Sequence, residues 1–310
     1  MSFTGLENLG AMPKPLSKSS KPDLKRLKLN LSKTKKWKSG HLKLKVKIED
    51  NYDIIKPLGA GTYASVSLAT DLTNEKKVAI KISRKENSCE KLASEYKILS
   101  ELDHECIIKP IRFINNEMKN EAFLVLEYFE GTDIKEFVQK NGPLSNDGCK
   151  RVIQQLSSCV SYLHSKGIAH RDIKPENVLI DEELNIKLID FNISKKMKSG
   201  SDDGECKFRS IFYTQISSPL YAAPEIKERC LYTESVDIWG IGIIMFTCFY
   251  GCPTSKSDSG KALNQISLSD IIESESSVCK EAQVLLLKLL CKDPQLRLSA
   301  EEILADDFLN

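Results

Sequence analysis

The chain has 310 residues, 41% of them hydrophobic, enough to bury a substantial core in one large bilobed domain or two ordinary ones. Its formal net charge of +2 gives the whole molecule no strong attraction for a polyanion. The ten cysteines form no C-x-x-C pair and the four histidines do not cluster with them, which argues against a zinc site or a disulfide framework.

Charge is unevenly spread. Residues 1–50 hold 13 Lys and Arg against 4 Asp and Glu, so the rest of the chain is net negative by about 7. Residues 1–22 are rich in Ser, Pro, Lys and Gly and read as a flexible arm. Beyond them Leu27, Leu29 and Leu31, then Leu42, Leu44, Val46 and Ile48, alternate with polar residues, many of them lysine, a period of two that suggests half-buried strands. The two runs flank KTKKWKSG and predict a basic hairpin. Such an extension either docks loosely on a domain or offers a patch for acidic lipid or nucleic acid. No secretory segment opens the chain, and the longest apolar run, Ile238 to Cys252, is about 15 residues, too short to cross a bilayer. The expectation is a soluble, monomeric, intracellular protein, cytoplasmic or nuclear, with reduced thiols.

From Tyr52 the texture changes. YDIIKPLGAGTYASVSLATD predicts two strands around a glycine-bearing turn, and KKVAIKIS a third. CEKLASEYKILSEL carries apolar residues at 92, 98, 99 and 102 and predicts a helix. IIKPIRFINNE and EAFLVLEYF predict two further strands. After Gly131 the pattern turns helical. TDIKEFVQKNG puts Ile134, Phe137 and Val138 on one face, and KRVIQQLSSCVSYLHSKG does the same behind the capping candidates Ser145 and Asn146. NVLIDEELNIKLID predicts a short hairpin. SVDIWGIGIIMFTCFYG is apolar on nearly every side and predicts a helix at the centre of its lobe. CKEAQVLLLKLL and AEEILAD predict later helices. The class is α+β: a small strand-rich unit over 51–130, then a larger helical unit over 131–310, behind the basic extension 1–50.

Several motifs carry chemistry. Gly59-Ala60-Gly61 follows a strand and lets backbone N–H groups approach phosphates, although a plain hairpin turn would carry the same glycines. Val78-Ala79-Ile80-Lys81 sets a lysine in an apolar strand. It either snorkels to water or serves as a cation for phosphate oxygens, held by a carboxylate such as Glu95 on the next helix. His170-Arg171-Asp172-Ile173-Lys174-Pro175-Glu176-Asn177 is the most specific stretch. One loop there holds an aspartate able to take a hydroxyl proton, a lysine able to neutralise a transferring phosphoryl group, and an asparagine able to bind a metal ion. Asp190, thirteen residues past Asn177, is a second metal-ligand candidate, and one Asp with one Asn suits magnesium shared with phosphate.

These motifs resemble the eukaryotic protein kinase family, of the serine/threonine type, over roughly residues 52–310. The glycine loop, VAIK, Glu95, HRDIKPEN, DFN where the family has DFG, Ala223-Pro224-Glu225 and Asp237-Ile238-Trp239-Gly240 occur in the family's order. The resemblance implies a bilobed fold with a small five-stranded N-lobe carrying one main helix, a larger helical C-lobe, ATP with Mg2+ between them, and phosphoryl transfer to Ser/Thr hydroxyls of protein substrates. It implies Asp172 as catalytic base, Lys174 at the γ-phosphate, Lys81 paired with Glu95 on the α- and β-phosphates, and Asn177 and Asp190 as metal ligands. ATP would meet Leu58, Gly59, Ala60, Gly61, Val66, Ala79, Glu127 at the hinge, Asp133 at the ribose, and Leu179. Leu99, His170 and Phe191 would stack into an internal spine anchored by Asp237, and Arg297 would pair with Glu225. Arg171 would receive a phosphate on the segment 190–225, with Thr214 and Ser218 as regulatory candidates. Glu176 and Asp133 stand where basophilic members keep acidic residues, which leaves a basic substrate preference open.

Two departures stand out. Ala64 replaces the third loop glycine, and its small side chain still lets the loop close. Asn192 replaces a glycine that would allow positive φ, and asparagine is among the side chains that reach left-handed space most readily. The expectation at 192 is a shifted balance between segment conformations rather than lost chemistry. The alternative function is a catalytically silent scaffold, which would be expected to have lost one of Lys81, Glu95, Asp172, Lys174, Asn177 or Asp190.

Overall fold

The computed structural model describes residues 48–61, 64–83, 86–116, 119–196, 221–227, 233–252 and 277–310. These residues belong to one compact unit, Val46–Asn310. The predicted basic hairpin over 27–47, Thr214 and Ser218 lie outside the described residues.

Five strands form an antiparallel sheet in the order β1-β2-β3-β5-β4: β1 Tyr52–Ala60, β2 Ser65–Asp71, β3 Lys77–Ser83, β4 Pro110–Asn116 and β5 Glu121–Glu127. Helix α1, Glu86–Leu99, interrupts them between β3 and β4. Strand β5 explains the fold's two-sidedness. Its five central residues, Ala122 to Leu126, are all buried, so both faces of the sheet are covered, and an unbroken apolar run replaces alternation. On one face Ile80, Phe123 and Val125 close a small cluster with Tyr52 and Ile48. On the other, Leu124 and Leu126 join Leu92 and Leu99 of α1 and continue into the main core.

Two expectations change here. Ile48 belongs to a 3-10 turn, Ile48–Asp50, closed by Asn51 N–H donating to the Ile48 carbonyl at 3.1 Å, rather than to a strand. Its side chain plugs the small cluster. The helix expected to run through Leu102 ends at Leu99, because Glu101 and Leu102 switch to bonds with the residues three before them, Ile98 and Leu99. Leu102 stays buried through that tightened turn.

The second lobe is helical: α2 Ile134–Asn141, α3 Asn146–Ser165, α4 Pro224–Lys227, α5 Ser235–Tyr250, α6 Lys280–Leu289 and α7 Ala300–Leu304. Ser145 caps α3 by accepting from Gly148 N–H at 3.1 Å. Ser299 and Glu302 form a full capping box on α7, which its short apolar pattern alone does not require. Helix α5 is buried along 14 of its 16 residues, as its all-round apolar sequence predicts. Gly240 is needed on it. A β-carbon there would stand 2.6 Å from Ile173 Cβ, so only glycine lets α5 lie against the loop that carries Asp172.

Short strands complete this lobe: β6 Thr132–Asp133, β7 Ile168–Ala169, β8 Val178–Ile180, β9 Ile186–Leu188 and β10 Lys195–Lys196. The order β6-β8-β9 forms one antiparallel sheet, and β10 pairs with β7. Asp133, which opens the segment TDIKEFVQKNG read as helical, is in strand β6 and also caps the helix, accepting from Glu136 N–H at 2.8 Å. The lobes are stitched behind the cleft by backbone bonds: Leu188 N–H to Cys106 O at 2.7 Å, and Ile108 N–H to Leu188 O at 3.2 Å. No helix among the described residues is long and apolar enough to cross a membrane. The thiols of Cys106, Cys149, Cys159 and Cys248 are free and buried.

Candidate active site

Strand β3 and helix α1 bring the first charged group together. Lys81 is buried, with its Nζ 2.8 Å from Glu95 Oε2 and 2.7 Å from Asp190 Oδ1. One ammonium thus ties the sheet, the helix and Asp190, two residues past β9. Burial alone would pull the Lys81 pKa down, but the Glu95 and Asp190 carboxylates outweigh it and hold it above the usual lysine value. Burial likewise pushes Asp190 up, and the Lys81 charge reverses that, leaving it below the usual aspartate value. Glu95 Oε1 also accepts from Phe191 N–H at 3.2 Å, so helix position and segment position are read by one carboxylate.

The loop after β7 holds the second group. Asp172 Oδ2 accepts from Lys174 Nζ at 2.7 Å and from Asn177 Nδ2 at 2.8 Å, and Asn177 Nδ2 also reaches the Asp172 carbonyl at 2.8 Å. The asparagine nitrogen is therefore committed to the loop, which leaves its Oδ1 as the atom that could meet a ligand. Asp172 Oδ1 keeps its freedom to face a hydroxyl.

Asp237, in the first turn of α5, builds that loop from beneath. It is fully buried and accepts from His170 N–H at 2.9 Å and Arg171 N–H at 2.7 Å, with His164 Nε2 at 2.9 Å. Burial would raise its pKa, but the His164 hydrogen bond and the neighbouring charges keep it below the usual aspartate value. His170 is equally buried. Its Nδ1 faces Asp172 N–H at 3.3 Å and its Nε2 faces the Ile189 carbonyl at 3.1 Å, an arrangement that requires a neutral ring protonated at Nε2. Its ring meets Phe191 edge-on, with centroids 4.7 Å apart, and Leu99 is buried in the same core.

Burial pulls the pKa of His170 and of His104 below the ordinary histidine value. Each therefore adds stability that is present above the unfolded pKa, about 6.5, and is lost as pH falls, because the unfolded chain takes up protons first. Lowering the pH from 7 to 5 is expected to lower the urea midpoint, as read by tryptophan fluorescence. An unchanged midpoint would show that these rings protonate as easily in the fold as outside it.

Arg171 and Asp190, rather than Asn192, carry the unusual backbone. Their φ values are 68° and 66°, while Asn192 does not take a positive φ. The strain is held by Asp237 at the first and Lys81 at the second. The backbone at position 192 therefore does not call for glycine in this conformation. Asn192→Gly is expected to lower stability by up to about 1 kcal/mol, because glycine loses more backbone freedom on folding. Denaturant unfolding checks this; a more stable glycine variant would mean that the asparagine is strained after all.

The remaining site residues fall as follows. Leu58 is exposed on β1, Val66 and Ala79 are half-buried on β2 and β3, and Leu179 is half-buried on β8 opposite Asp133. In β1 and β2, Gly59 pairs with Val66 and Ala60 with Ser65, and Gly61 N–H donates to the Ala64 carbonyl at 2.8 Å to close the turn. A β-carbon on Gly59 would meet nothing within 4 Å, so no protein contact demands that glycine. Arg171 donates to the Ile193 carbonyl and so tethers the start of the segment after Asp190. Glu225 and Arg297 form a buried fork, Nη1 to Oε1 at 2.5 Å and Nη2 to Oε2 at 2.8 Å.

The Glu127 N–H is already given to the Lys109 carbonyl at 2.9 Å, so the hinge expected from the sequence would find its free backbone donors beyond this residue. Its carboxylate accepts from Lys187 Nζ at 2.7 Å and Lys109 N–H at 3.0 Å. Lys187 was not legible as a site residue: in IKL it reads simply as the outward position of an alternating strand. Lys187→Met is expected to cost about 1 kcal/mol, measured as a lower urea midpoint, with no loss if the Lys109 amide and water serve the carboxylate equally well.

Beside Asp172 a cavity opens, lined by Arg171, Lys174, Tyr221, Ala223, Val236 and Trp239 among others. It is small, but it opens directly beside the Asp172 side chain and is walled by both apolar and charged residues. Among the described residues no group of three or more His, Cys, Asp or Glu side chains converges on a metal site. Asn177 Oδ1 and the second Asp190 oxygen thus suit a hard cation that takes its other ligands from phosphate and water.

A two-lobed fold with this cleft defines a protein kinase domain. The protein kinase domain family matches residues 52–309, and the chain belongs to that family, with the serine/threonine kinases. It is 34% identical over 262 residues to the maternal embryonic leucine zipper kinase of Xenopus tropicalis, covering 83% of this chain and 39% of that protein. It is 31% identical over 283 residues to the ovarian-specific serine/threonine-protein kinase Lok of Drosophila melanogaster, covering 84% and 57%. It is 33% identical over 271 residues to the SNF1-related protein kinase catalytic subunit alpha KIN12 of Arabidopsis thaliana, covering 86% and 52%. The chain therefore spans between about two-fifths and three-fifths of the length of these relatives.

Proposed function

We propose that this protein transfers the γ-phosphate of ATP to serine or threonine hydroxyls of protein substrates. The observation that carries the reading is the joining of Lys81, Glu95 and Asp190 in one ion-paired group while Asp172, Lys174 and Asn177 share one hydrogen-bonded loop. No group needed for phosphoryl transfer is missing, which disfavours a silent scaffold.

Asp172 orients the acceptor hydroxyl and takes its proton at a carboxylate oxygen as the hydroxyl oxygen attacks the γ-phosphorus and the bond from that phosphorus to the β,γ-bridging oxygen breaks, with ADP leaving. Lys174, already paired with Asp172, supplies positive charge beside the acceptor and offsets charge on the transferring group. Lys81 holds phosphate oxygens while Glu95 fixes its ammonium. Leu58, Val66, Ala79 and Leu179 supply apolar surface for the base, and Asp133 keeps a carboxylate oxygen for the ribose. Asn177 and Asp190 would hold Mg2+, which when bound neutralises phosphate charge. Tyr221 and Trp239 help wall the cavity where the acceptor's chain lies beside Asp172.

Incubation with ATP labelled at the γ-phosphate, Mg2+ and a generic basic protein tests the reading. Label on acceptor serine or threonine is expected. No label above that of Asp172→Asn would reject it.

A further inference from the structure

The kinase reading leaves one cluster beside the catalytic loop unused. Lys135, in the first turn of α2, places Nζ 2.9 Å from Glu176 Oε1, in the 3-10 turn Pro175–Asn177 that follows Lys174. Asp133 lies within the electrostatic reach of both: Glu176 and Glu136 push its carboxyl up, after burial, and Lys135 pulls it down. Tyr221 completes the link. It lines the cavity next to Asp172 and Lys174, and its hydroxyl is within the influence of Glu176 and Asp133, which add to the effect of burial in raising its pKa. The cavity beside Asp172 is thus linked through Tyr221 to the carboxylates of Glu176 and Asp133, which places them where residues flanking an acceptor hydroxyl would meet them. The Lys135 ammonium offsets part of the negative charge that Glu176, Asp133 and Glu136 place there. Without it the field would be more negative and would favour a cationic peptide more strongly.

We infer that Lys135 is a specificity-determining residue. Its ammonium occupies Glu176 from within the fold and reduces the advantage an acceptor gains from an arginine or lysine near its hydroxyl residue. The inference rests on the kinase reading but goes beyond it, since it names the peptide chemistry that the site declines to reward. Both partners are partly exposed, Lys135 at 39% and Glu176 at 31%, so the pair is a displaceable counterion and its effect is graded rather than absolute.

The test uses one Ser acceptor peptide with arginine or alanine at each flanking position in turn, and reads kcat and KM separately. For Lys135→Ala, the arginine-to-alanine ratio of kcat/KM is expected to rise about three- to tenfold over wild type at one position, carried by KM. Lys135→Arg restores the wild-type ratio, and adding Glu176→Gln to Lys135→Ala removes the gain. A purely structural role for Lys135 would move all peptides together. Ratios within about twofold of wild type at every position, or a gain that survives Glu176→Gln, overturn the inference while the kinase reading stands. A wild-type protein that labels none of the peptides, nor the generic basic protein, overturns both.

Discussion

Asp172→Asn is expected to lower phosphate transfer about 10²- to 10⁴-fold while leaving the fold intact. The side chains are nearly the same shape. In the wild type one carboxylate oxygen already accepts from two donors, Lys174 Nζ and Asn177 Nδ2, each within 2.8 Å. An asparagine can keep its carbonyl oxygen toward those donors. Its amide nitrogen then faces the acceptor, where the carboxylate oxygen stood. That nitrogen donates rather than accepts, so it neither takes the hydroxyl proton nor orients the hydroxyl for attack. The defect should appear in kcat, with ATP affinity little changed, because Lys81, Glu95 and Asp190 lie in a separate ion-paired group. Single-turnover kinetics separate the two effects. Activity within tenfold of wild type would mean that Asp172 is not the proton acceptor.

Arg297→Met is expected to be the most destabilising single change of those considered, by about 3–5 kcal/mol. The Arg297 side chain has 0% exposure and that of its partner Glu225 has 5%. The guanidinium fork serves both carboxylate oxygens and also donates to the carbonyls of Cys291 at 2.8 Å and Ser235 at 3.1 Å. Its plane lies over Trp239, 5.1 Å from the ring centroid. Methionine fills much of the volume but leaves a buried carboxylate without its cation. Urea unfolding reads the loss, and Glu225→Gln in the same chain should recover part of it by removing the stranded charge. Arg297→Lys should fall between, because one point charge cannot meet both oxygens. The consequence for function is local. Trp239 donates to the Tyr221 carbonyl at 3.0 Å, and both residues line the cavity beside Asp172, so a loosened fork disturbs the acceptor side of the cleft first. A loss below 1 kcal/mol would show that the fork is not what holds this region.

The structure also alters the meaning of Asn192. By sequence the residue replaces a glycine, and the natural expectation is a backbone in need of positive φ. The strained residues are instead Arg171 and Asp190, each pinned by an ion pair or by backbone bonds to a distant carboxylate. Such strain has no local signature, because the groups that hold it come from 66 and 109 residues away along the chain.

Much of this protein was determined by local order in the sequence. The alternation and runs of apolar residues marked five strands, the interrupting helix and the buried α5, because burial on one face or on all sides leaves a period that a linear reading can detect. The spacing within HRDIKPEN was equally readable, since Asp172, Lys174 and Asn177 lie in one loop and meet through short-range bonds. Tertiary structure alone decided what depends on long-range pairing. It set the commitment of the Glu127 amide and carboxylate, the grip of Lys187 on the hinge, the need for glycine at 240 against Ile173, and the placing of Lys135 on Glu176. A lysine on a strand or a helix looks the same in sequence whether it faces water or a carboxylate, and only the packing of separate elements chooses between the two.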